Sequence, residues 1–339
     1  MRLALVGFGN VGRRFAELLR GPYGRILRRA GVEARVTGIA TARHGSAIDA
    51  RGLSLSRCLR AKSLHPLNRE RPIGSTLDFI RRVPADVLLE LTTLDPKRGL
   101  PAVRHARAAL ERGLDVITAN KGPAACELRP LLALAGRKRR RFLFEGAVMD
   151  GTPVFNLVAR CLPGVRVLGF RGMLNTTTAR ILSGMENGTS FEDSLAEMQD
   201  EGIAEADPRN DVDGWDAAAK GCAIANALMK AETRPTLVDR VGISEVTADD
   251  VRTALRMRTR IRLIVRGERD GRKVSVRVAP EALPLDDPLV ASEQDGVLIL
   301  ETDLMGEIGI LEGPSGVDQT AYAILSDLMA LIESGALRR

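Results

Sequence analysis

The sequence is poor in aromatic, cysteine and histidine side chains. Only 3% of its 339 residues are aromatic, and it has one tryptophan, four cysteines and three histidines. The cysteines form no CxxC pair and the histidines are scattered, so we predict neither a disulfide framework nor a zinc site. Because nucleic-acid surfaces interleave basic residues with aromatic rings, we expect no nucleic-acid partner. The basic run RKRRR at 137–141 is interpreted as a solvated helix end.

Long apolar runs are also missing. No segment approaches the roughly 18 apolar residues that a membrane span needs. The short apolar run at the N-terminus ends in glycines rather than in a signal-peptide cleavage site. We therefore expect a cytoplasmic protein with no membrane association. The length of 339 residues favours two domains, since single cores stop growing near this size.

In its first half the chain alternates apolar strand-like runs with helical patterns. Strands are predicted at 2–6, 34–40, 85–91, 114–121 and 141–147, and helices near 101–112 and 124–135. Apolar strands that alternate with helices indicate a parallel sheet covered on both faces. We therefore predict an α/β fold that begins with a Rossmann-type, doubly wound parallel sheet. Its ligand site should lie beyond the carboxyl ends of the strands.

The pattern changes around residue 148. A strand-like run at 165–174 leads into a threonine-rich turn, and four runs from about 261 predict an antiparallel sheet. We expect residues 1–147 plus about 316–339 to form the dinucleotide-binding domain. Residues 148–315 should form an α+β domain for substrate binding, catalysis and dimerisation. Since closed two-fold dimers are the common soluble assembly, we expect a homodimer.

A glycine motif, GFGNVG, follows the first strand and opens a helix. Its first glycine permits a tight turn, the second lets the backbone approach a pyrophosphate, and the third allows close helix–strand packing. The helix N-terminus offers free N–H groups and a positive dipole to phosphates. We predict a dinucleotide-binding turn rather than a merely structural one. Its cofactor-binding residues are Gly7, Gly9, Asn10, Val11 and Gly12.

The end of the second strand predicts which cofactor binds. An NAD site usually places an acidic residue there for the ribose hydroxyls, but this strand ends in Ala40 and Thr41. Arg43 follows and suits a 2′-phosphate. We therefore predict a preference for NADP over NAD. The alternative interpretation is that Arg43 is an ordinary surface arginine.

Polar residues follow the third and fourth strands. Thr92 comes after the third strand, and the segment TANK closes the fourth, so Thr118, Asn120 and Lys121 should lie at the carboxyl edge of the sheet near the nicotinamide. We predict that all four residues contact the cofactor. Lys121 could also polarise a carbonyl or relay a proton, or it could be an ordinary turn lysine.

The stretch NDVDGWDAAAK at 210–220 holds three aspartates and a lysine. A helix is expected to start near Asp213 to Asp216, which places Asp216 and Lys220 on one face a single turn apart. This pair could be a routine ion pair worth about 0.2–0.5 kcal/mol. It could also be catalytic, because a nearby helix N-terminus would lower the pKa of Lys220 towards that of a usable general base.

These motifs together resemble those of homoserine dehydrogenases over nearly the whole chain. The resemblance rests on GFGNVG, ITANKGP, EGAVMDGTPVF, GMLNTTT, EADPRNDVDGWDAAAK and EGPSGVDQTAYAILSDL. It implies hydride transfer between L-homoserine and L-aspartate 4-semialdehyde with NADP(H) or NAD(H), a step in threonine, methionine and isoleucine biosynthesis. Many relatives carry a C-terminal ACT domain. This chain ends after the helix at 320–335, so we expect a short form without threonine feedback through such a domain.

The resemblance also implies roles for particular residues. Lys220 would take the hydroxyl proton, Lys121 would be a second catalytic group, and Asp216 would orient the substrate. The residues implied in substrate binding are Glu205 and Asp211, chiefly through the amino group, and Thr176 and Thr177 in the substrate turn. A monovalent cation, Na⁺ or K⁺, would bind to backbone carbonyls of Glu145, Val148, Asp150 and Thr152.

One position departs from the family pattern. The substrate turn commonly reads NGTT or NSTT, whereas here the asparagine is followed by Thr176. A threonine adds bulk and a β-branch where a small residue is usual. The alternative functions are therefore a related NAD(P)-dependent dehydrogenase of another small amino or hydroxy acid, or a non-catalytic NAD(P)-binding sensor. The presence of Lys121, Asp216 and Lys220 disfavours the sensor.

Overall fold

The computed structural model describes residues 1–200, 207–291, 296–314 and 316–335. The chain divides into two compact units, of which the first contains Met1–Pro153 and the chain from Gly316 onwards, and the second is Val154–Ser315. Among the described residues, no helix is both long enough and apolar enough to span a membrane.

The first unit is built on a six-stranded sheet with the strand order β3-β2-β1-β4-β5-β6. The strands are β1 (Arg2–Val6), β2 (Arg35–Ala40), β3 (Ser46–Ile48), β4 (Val87–Glu90), β5 (Asp115–Thr118) and β6 (Phe142–Leu143). All neighbouring strands are parallel except β2 and β3, which form an antiparallel pair. The predicted Rossmann-type parallel sheet is therefore confirmed. The edge strand β3 was not predicted, because three residues are too short for a periodic pattern.

Helices flank this sheet. They are α1 (Asn10–Arg20), α2 (Pro22–Arg29), α3 (Leu55–Arg60), α4 (Thr76–Arg82), α5 (Ala102–Arg112) and α6 (Lys121–Lys138). Helix α6 begins three residues before the predicted start, because the Asn120 side chain caps it by accepting the Gly122 N–H at 2.8 Å. The predicted strand at 141–147 was too long, since the chain leaves the sheet after Leu143 and forms a 3₁₀ turn at Glu145–Ala147.

The second unit holds another six-stranded sheet, with the order β12-β11-β7-β9-β10-β8. The strands are β7 (Val167–Met173), β8 (Asp239–Arg240), β9 (Thr259–Asp270), β10 (Lys273–Pro284), β11 (Gly296–Thr302) and β12 (Gly306–Glu312). All pairs are antiparallel except β8 with β10. The predicted antiparallel sheet and α+β character of this region are thus confirmed.

The helices of the second unit carry most of its polar site residues. They are α7 (Thr176–Glu186), α8 (Phe191–Asp200), α9 (Arg209–Val212), α10 (Trp215–Leu228), α11 (Ala248–Arg256) and α12 (Pro288–Ala291). The predicted threonine-rich turn is instead the first turn of α7. Threonine is a weak helix former, but here Asn175 caps the helix by accepting the Thr178 N–H at 2.9 Å.

The last helix, α13 (Val317–Glu333), belongs to the first unit. Its apolar side chains join the core formed by β1, β2 and α1, with Ile324 and Leu328 buried next to Leu5 and Phe15. This helix follows β6 by more than 160 residues in sequence, yet it packs on the six-stranded sheet of the first unit.

Candidate active site

The glycine turn has the geometry that a dinucleotide needs. Gly7 has a φ of 96°, and a Cβ there would lie 2.3 Å from the Leu91 carbonyl oxygen. A Cβ at Gly12 would lie 2.8 Å from the Gly7 oxygen, so only glycine permits this close packing. At Gly9, by contrast, a Cβ would meet no atom within 4 Å, so this side of the turn is open to a ligand.

Helix α1 begins directly on the open side of that turn. Gly9 is its N-cap and provides no side-chain cap, and Asn10 and Val11 are its first two residues. Their backbone N–H groups are therefore directed towards the position of a pyrophosphate. Of the five residues predicted at this turn, Gly9, Asn10 and Val11 lie on its open side, while Gly7 and Gly12 shape it through close packing. The described residues fit a dinucleotide cofactor.

The end of β2 adjoins the glycine turn. The Gly7 N–H donates to the Ala40 carbonyl at 2.9 Å. The next residues form a tight turn, in which the Thr41 N–H donates to the Gly45 oxygen at 3.0 Å and the His44 N–H donates to Thr41 Oγ1 at 2.8 Å. Arg43 is exposed at the tip of this turn. The position that usually carries an acidic residue thus holds a neutral threonine followed by an exposed arginine.

Residues from two strands meet at the carboxyl edge of the first sheet. Asn120 Nδ2 donates to the Thr92 carbonyl at 2.8 Å, and the Asn120 N–H donates to Thr118 Oγ1 at 2.9 Å. Thr118 and Asn120 are buried, and Lys121 is half-buried at the first position of α6. The four residues predicted at this edge therefore lie close together. Asn120 joins the segment after β5 to the segment after β4 through its contact with Thr92.

A buried acid–histidine pair lies beneath this edge and was missed from the sequence. Glu90, at the end of β4, is fully buried, and Thr92 Oγ1 donates to its Oε1 at 2.5 Å. His105 Nδ1 lies 3.2 Å from the same Glu90 oxygen. The sequence signal for this pair was the single carboxylate in the otherwise apolar run VLLE. A charged side chain in a strand covered on both faces needs a partner, so this residue indicated a buried polar contact.

The aspartate and lysine of the acidic stretch form an ion pair. Lys220 Nζ lies 3.0 Å from Asp216 Oδ2, and it also donates to the Leu174 carbonyl that follows β7. The two side chains are only 16% and 13% exposed. Because both side chains are shielded, solvent screens the attraction between their charges less than in a surface i,i+4 pair.

Asn175 connects this pair to another aspartate, and sequence reasoning did not identify it as a site residue. Its Nδ2 donates to Asp211 Oδ1 at 2.7 Å and to Asp216 Oδ2 at 3.2 Å, while its Oδ1 caps α7. One amide thus holds two carboxylates at the N-terminal end of α7. The signal in the sequence was an asparagine directly before three threonines, a typical N-cap pattern.

Several details of the acidic stretch differ from expectation. Gly214, with a φ of 77°, is the N-cap of α10, and Asp213 instead ends α9. The start of α10 at Trp215 therefore lies inside the predicted range. Lys220 is the sixth residue of α10, further from the positive helix end than Asp216 in the first turn.

Not every acidic residue of the stretch faces a ligand. Asp207, which lies between Glu205 and Asp211 in the sequence, pairs with Arg209 at 2.5 Å. Hydrogen bonds from Arg209 lower the pKa of this exposed carboxyl to about 2. Glu205 lies outside the described residues. Trp215 stacks on Arg240, whose guanidinium carbon is 3.8 Å from the ring centroid, so this tryptophan supports α10 from the side of β8.

The segment predicted to bind a monovalent cation has an irregular backbone. The 3₁₀ turns Glu145–Ala147 and Met149–Gly151 follow each other, and Met149, Asp150 and Gly151 have φ values of 50°, 43° and 133°. Among the described residues, no group of three or more His, Cys, Asp or Glu side chains could hold a metal ion.

Comparison with known proteins assigns the family. A homoserine dehydrogenase family model matches residues 153–329, and the NAD-binding domain model of homoserine dehydrogenase matches 7–145. A Pseudomonas canavaninivorans protein named NAD(+)-dependent homoserine dehydrogenase is 34% identical over 100% of this chain and 98% of its own length. The chain belongs to the homoserine dehydrogenase family.

Full-length similarity extends to other members of the homoserine dehydrogenase family. The homoserine dehydrogenase of Methanocaldococcus jannaschii is 35% identical over 98% of this chain and 99% of its own length. A crystal structure of the Thermoplasma acidophilum enzyme is 25% identical, with a TM-score of 0.81, and covers 98% of this chain and 99% of its own. Both units of this chain therefore have counterparts in single homoserine dehydrogenases.

Proposed function

We propose that this protein interconverts L-homoserine and L-aspartate 4-semialdehyde with a nicotinamide dinucleotide. The observation that carries the proposal is the shielded Lys220–Asp216 pair, which Asn175 joins to Asp211 at the start of α7. Membership of the homoserine dehydrogenase family supports it. The bound cofactor would supply the hydride acceptor.

The side chains of the second unit would handle the substrate's charges and its proton. Lys220 would take the proton of the substrate hydroxyl, and Asp216 would hold the lysine in place through the 3.0 Å contact. Asp211, together with Glu205, would bind the substrate ammonium group. Thr176 and Thr177, the first residues of α7, would offer backbone N–H groups to the substrate carboxylate.

The first unit would bind the cofactor. The open glycine turn and the start of α1 would hold the pyrophosphate, while Thr92, Thr118 and Asn120 would border the nicotinamide. Lys121 would be the second catalytic group. Its place at the first turn of α6, after the cap Asn120, fixes its backbone at the carboxyl edge of the sheet.

The decisive experiment is a spectrophotometric assay of the purified protein. Homoserine-dependent reduction of NADP⁺ and of NAD⁺ would be followed at 340 nm, alongside a panel of other small amino and hydroxy acids. We expect turnover with homoserine to exceed that with every other substrate by at least tenfold. A preference for another acid would assign the protein to a different member of the same reaction class, and no turnover at all would support a sensor.

We further propose that NADP(H) is preferred over NAD(H). The exposed Arg43 lies on the turn that follows β2, next to the glycine turn, where a guanidinium would bind a 2′-phosphate. Arg43→Ala should raise KM for NADP⁺ about tenfold and leave KM for NAD⁺ unchanged. Arg25→Ala, at an exposed position of α2, is the matched control. A higher kcat/KM with NAD⁺ than with NADP⁺ in the unmodified enzyme would contradict the proposed NADP(H) preference.

A monovalent cation at 145–152 is proposed as a structural cofactor. Two carboxylates, Glu145 and Asp327, are each 2% exposed beside this segment, and the Glu145 N–H donates to Asp327 Oδ2 at 3.0 Å. A Na⁺ or K⁺ ion on the backbone carbonyls of this segment would lie beside these two carboxylates, where a positive charge is favourable. We expect turnover to fall at least threefold when tetramethylammonium replaces KCl or NaCl at equal ionic strength. Equal rates in all three salts would contradict the site.

A homodimer through the second sheet is proposed from its exposed apolar edge. Strand β12 ends the sheet, and Leu304, Met305 and Leu311 on the β11–β12 hairpin are 71%, 58% and 56% exposed. Exposed edges of this kind are commonly covered by a partner. Analytical ultracentrifugation should give a mass twice the 36.6 kDa of one chain. The variant Leu311→Asp should instead sediment with the mass of a single chain. Leu237→Asp, at another exposed leucine, should stay dimeric.

A further inference from the structure

A cavity in the second unit carries a concentration of arginine side chains that the proposed reaction does not use. It has a volume of about 470 Å³ and lies between α7, the start of β9 and α12. Among the described residues that line it, three are arginines (Arg180, Arg260 and Arg262) and one is acidic (Glu186). The lining includes Thr176, one of the residues proposed to bind the substrate, but Lys220, Asp216 and Asp211 are not among the described lining residues. The cavity therefore adjoins the candidate active site at the start of α7 and extends along that helix to Asn187.

One arginine forms the fixed wall of this cavity. Arg262 is 4% exposed, and its guanidinium donates to Glu186 Oε1 at 2.7 Å and to Ser183 Oγ at 3.2 Å. These contacts tie β9 to α7 and place a buried positive group whose orientation is determined. Because Glu186 already accepts from Arg262, its charge is largely committed to that partner.

The second arginine is left with an unsatisfied donor. Arg260 is two residues away, and therefore on the same face of β9 as Arg262. Its Nε lies 3.6 Å from Glu186 Oε2, too far for a hydrogen bond. This atom is buried and has no hydrogen-bond partner among the described residues. Buried donors are almost always paired, so an orphaned guanidinium N–H in a cavity indicates a missing acceptor.

One part of the lining is apolar. Met173, Leu289 and Val290 border the same space, and each is at least 95% buried. A ligand that satisfies Arg260 would therefore place its remaining atoms against thioether and aliphatic side chains. Inorganic phosphate offers acceptors but no apolar part, whereas an organic acid offers both.

From these features we infer that the cavity is a second ligand site, for a small carboxylate with a short aliphatic tail. The carboxylate binds the Arg260 guanidinium, whose fork of N–H groups matches two carboxylate oxygens. The tail contacts Leu289, Val290 and Met173. The cavity shares Thr176 with the residues proposed to bind the substrate, whereas its three arginines take no part in the proposed reaction. The inference rests on these arginines and does not depend on the substrate of that reaction.

The test uses isovalerate as the probe and its neutral counterpart isovaleramide as the control ligand. Binding to the full chain is measured by ligand-observed NMR and calorimetry, with inorganic phosphate in a third arm. We expect isovalerate to bind with a millimolar or lower Kd and isovaleramide and phosphate to bind at least tenfold more weakly. Equal binding of the amide would overturn the role of the arginine, and tighter binding of phosphate would overturn the assignment of an organic acid.

Variants locate the site on the chain. Arg260→Gln should raise the Kd for isovalerate at least tenfold, while Arg256→Gln, at an exposed arginine of α11, should leave it unchanged. Arg260→Lys keeps the charge but loses the fork, so it should weaken binding severalfold, and it serves as the second variant if Arg260→Gln does not fold. Unchanged affinity in folded Arg260 variants, or no binding of isovalerate to the unmodified chain, would overturn the proposal.

Discussion

Lys220→Ala is expected to lower kcat for homoserine oxidation by about a thousandfold, because a positioned general base typically contributes 10²–10⁴. Lys220 Nζ is held by Asp216 and by the Leu174 carbonyl, and no other lysine lies within the described part of α10. Alanine is the best helix former, so α10 should persist without this side chain. The measurement is steady-state kinetics with saturating homoserine and cofactor, paired with a thermal melt.

The variant Lys220→Arg separates the loss of the general base from the loss of the positive charge. Lys220→Arg keeps a positive group beside Asp216, but a guanidinium does not release its proton near neutral pH. It should therefore be nearly as inactive as Lys220→Ala while melting closer to the unmodified protein. Lys273→Ala, which removes an exposed lysine from β10 of the same unit, should turn over normally. Turnover near normal in Lys220→Ala would exclude this lysine as the base.

Features determined by neighbouring residues could be predicted from the sequence. The first strand, the glycine turn and α1 follow one another directly, and the positive φ of Gly7 and the close approach of Gly12 to the Gly7 oxygen both arise within six residues. The Asp216–Lys220 pair was also foreseeable, since residues four apart in a helix share a face.

Features that depend on distant contacts could not be predicted. Asn175 lies 36 residues from Asp211 and 41 from Asp216, and its own neighbourhood shows only an N-cap followed by poor helix formers. The Glu90–His105 pair similarly joins a strand to the helix that follows it. Nothing in the local pattern around Arg260 and Glu186 indicates that β9 and α7 enclose a cavity. Such groupings arise from tertiary packing, which fixes side-chain neighbours independently of local periodicity.

Asn175→Asp should lower kcat/KM by about a hundredfold or more while preserving the cap of α7. Aspartate is as good an N-cap as asparagine, so its oxygen can still accept the Thr178 N–H. The change replaces the Nδ2 donor, however, with an oxygen facing Asp211 at 2.7 Å and Asp216 at 3.2 Å. A hydrogen bond to a charged group contributes about 1.5–3 kcal/mol, and here two are replaced by repulsion between carboxylates.

Asn226→Asp is the matched control, because it makes the same chemical change at a half-buried asparagine in α10. Asn226 Nδ2 donates to the Thr233 carbonyl at 3.1 Å and its Oδ1 accepts the Thr233 N–H at 3.0 Å, so it is bound to backbone rather than to the acidic cluster. It should lose thermal stability but retain turnover. Asn175→Asp should instead lose turnover, because its amide holds Asp211 and Asp216 in register with Lys220. If both variants lost activity only in proportion to their loss of stability, Asn175 would be a structural cap and not a positioning residue.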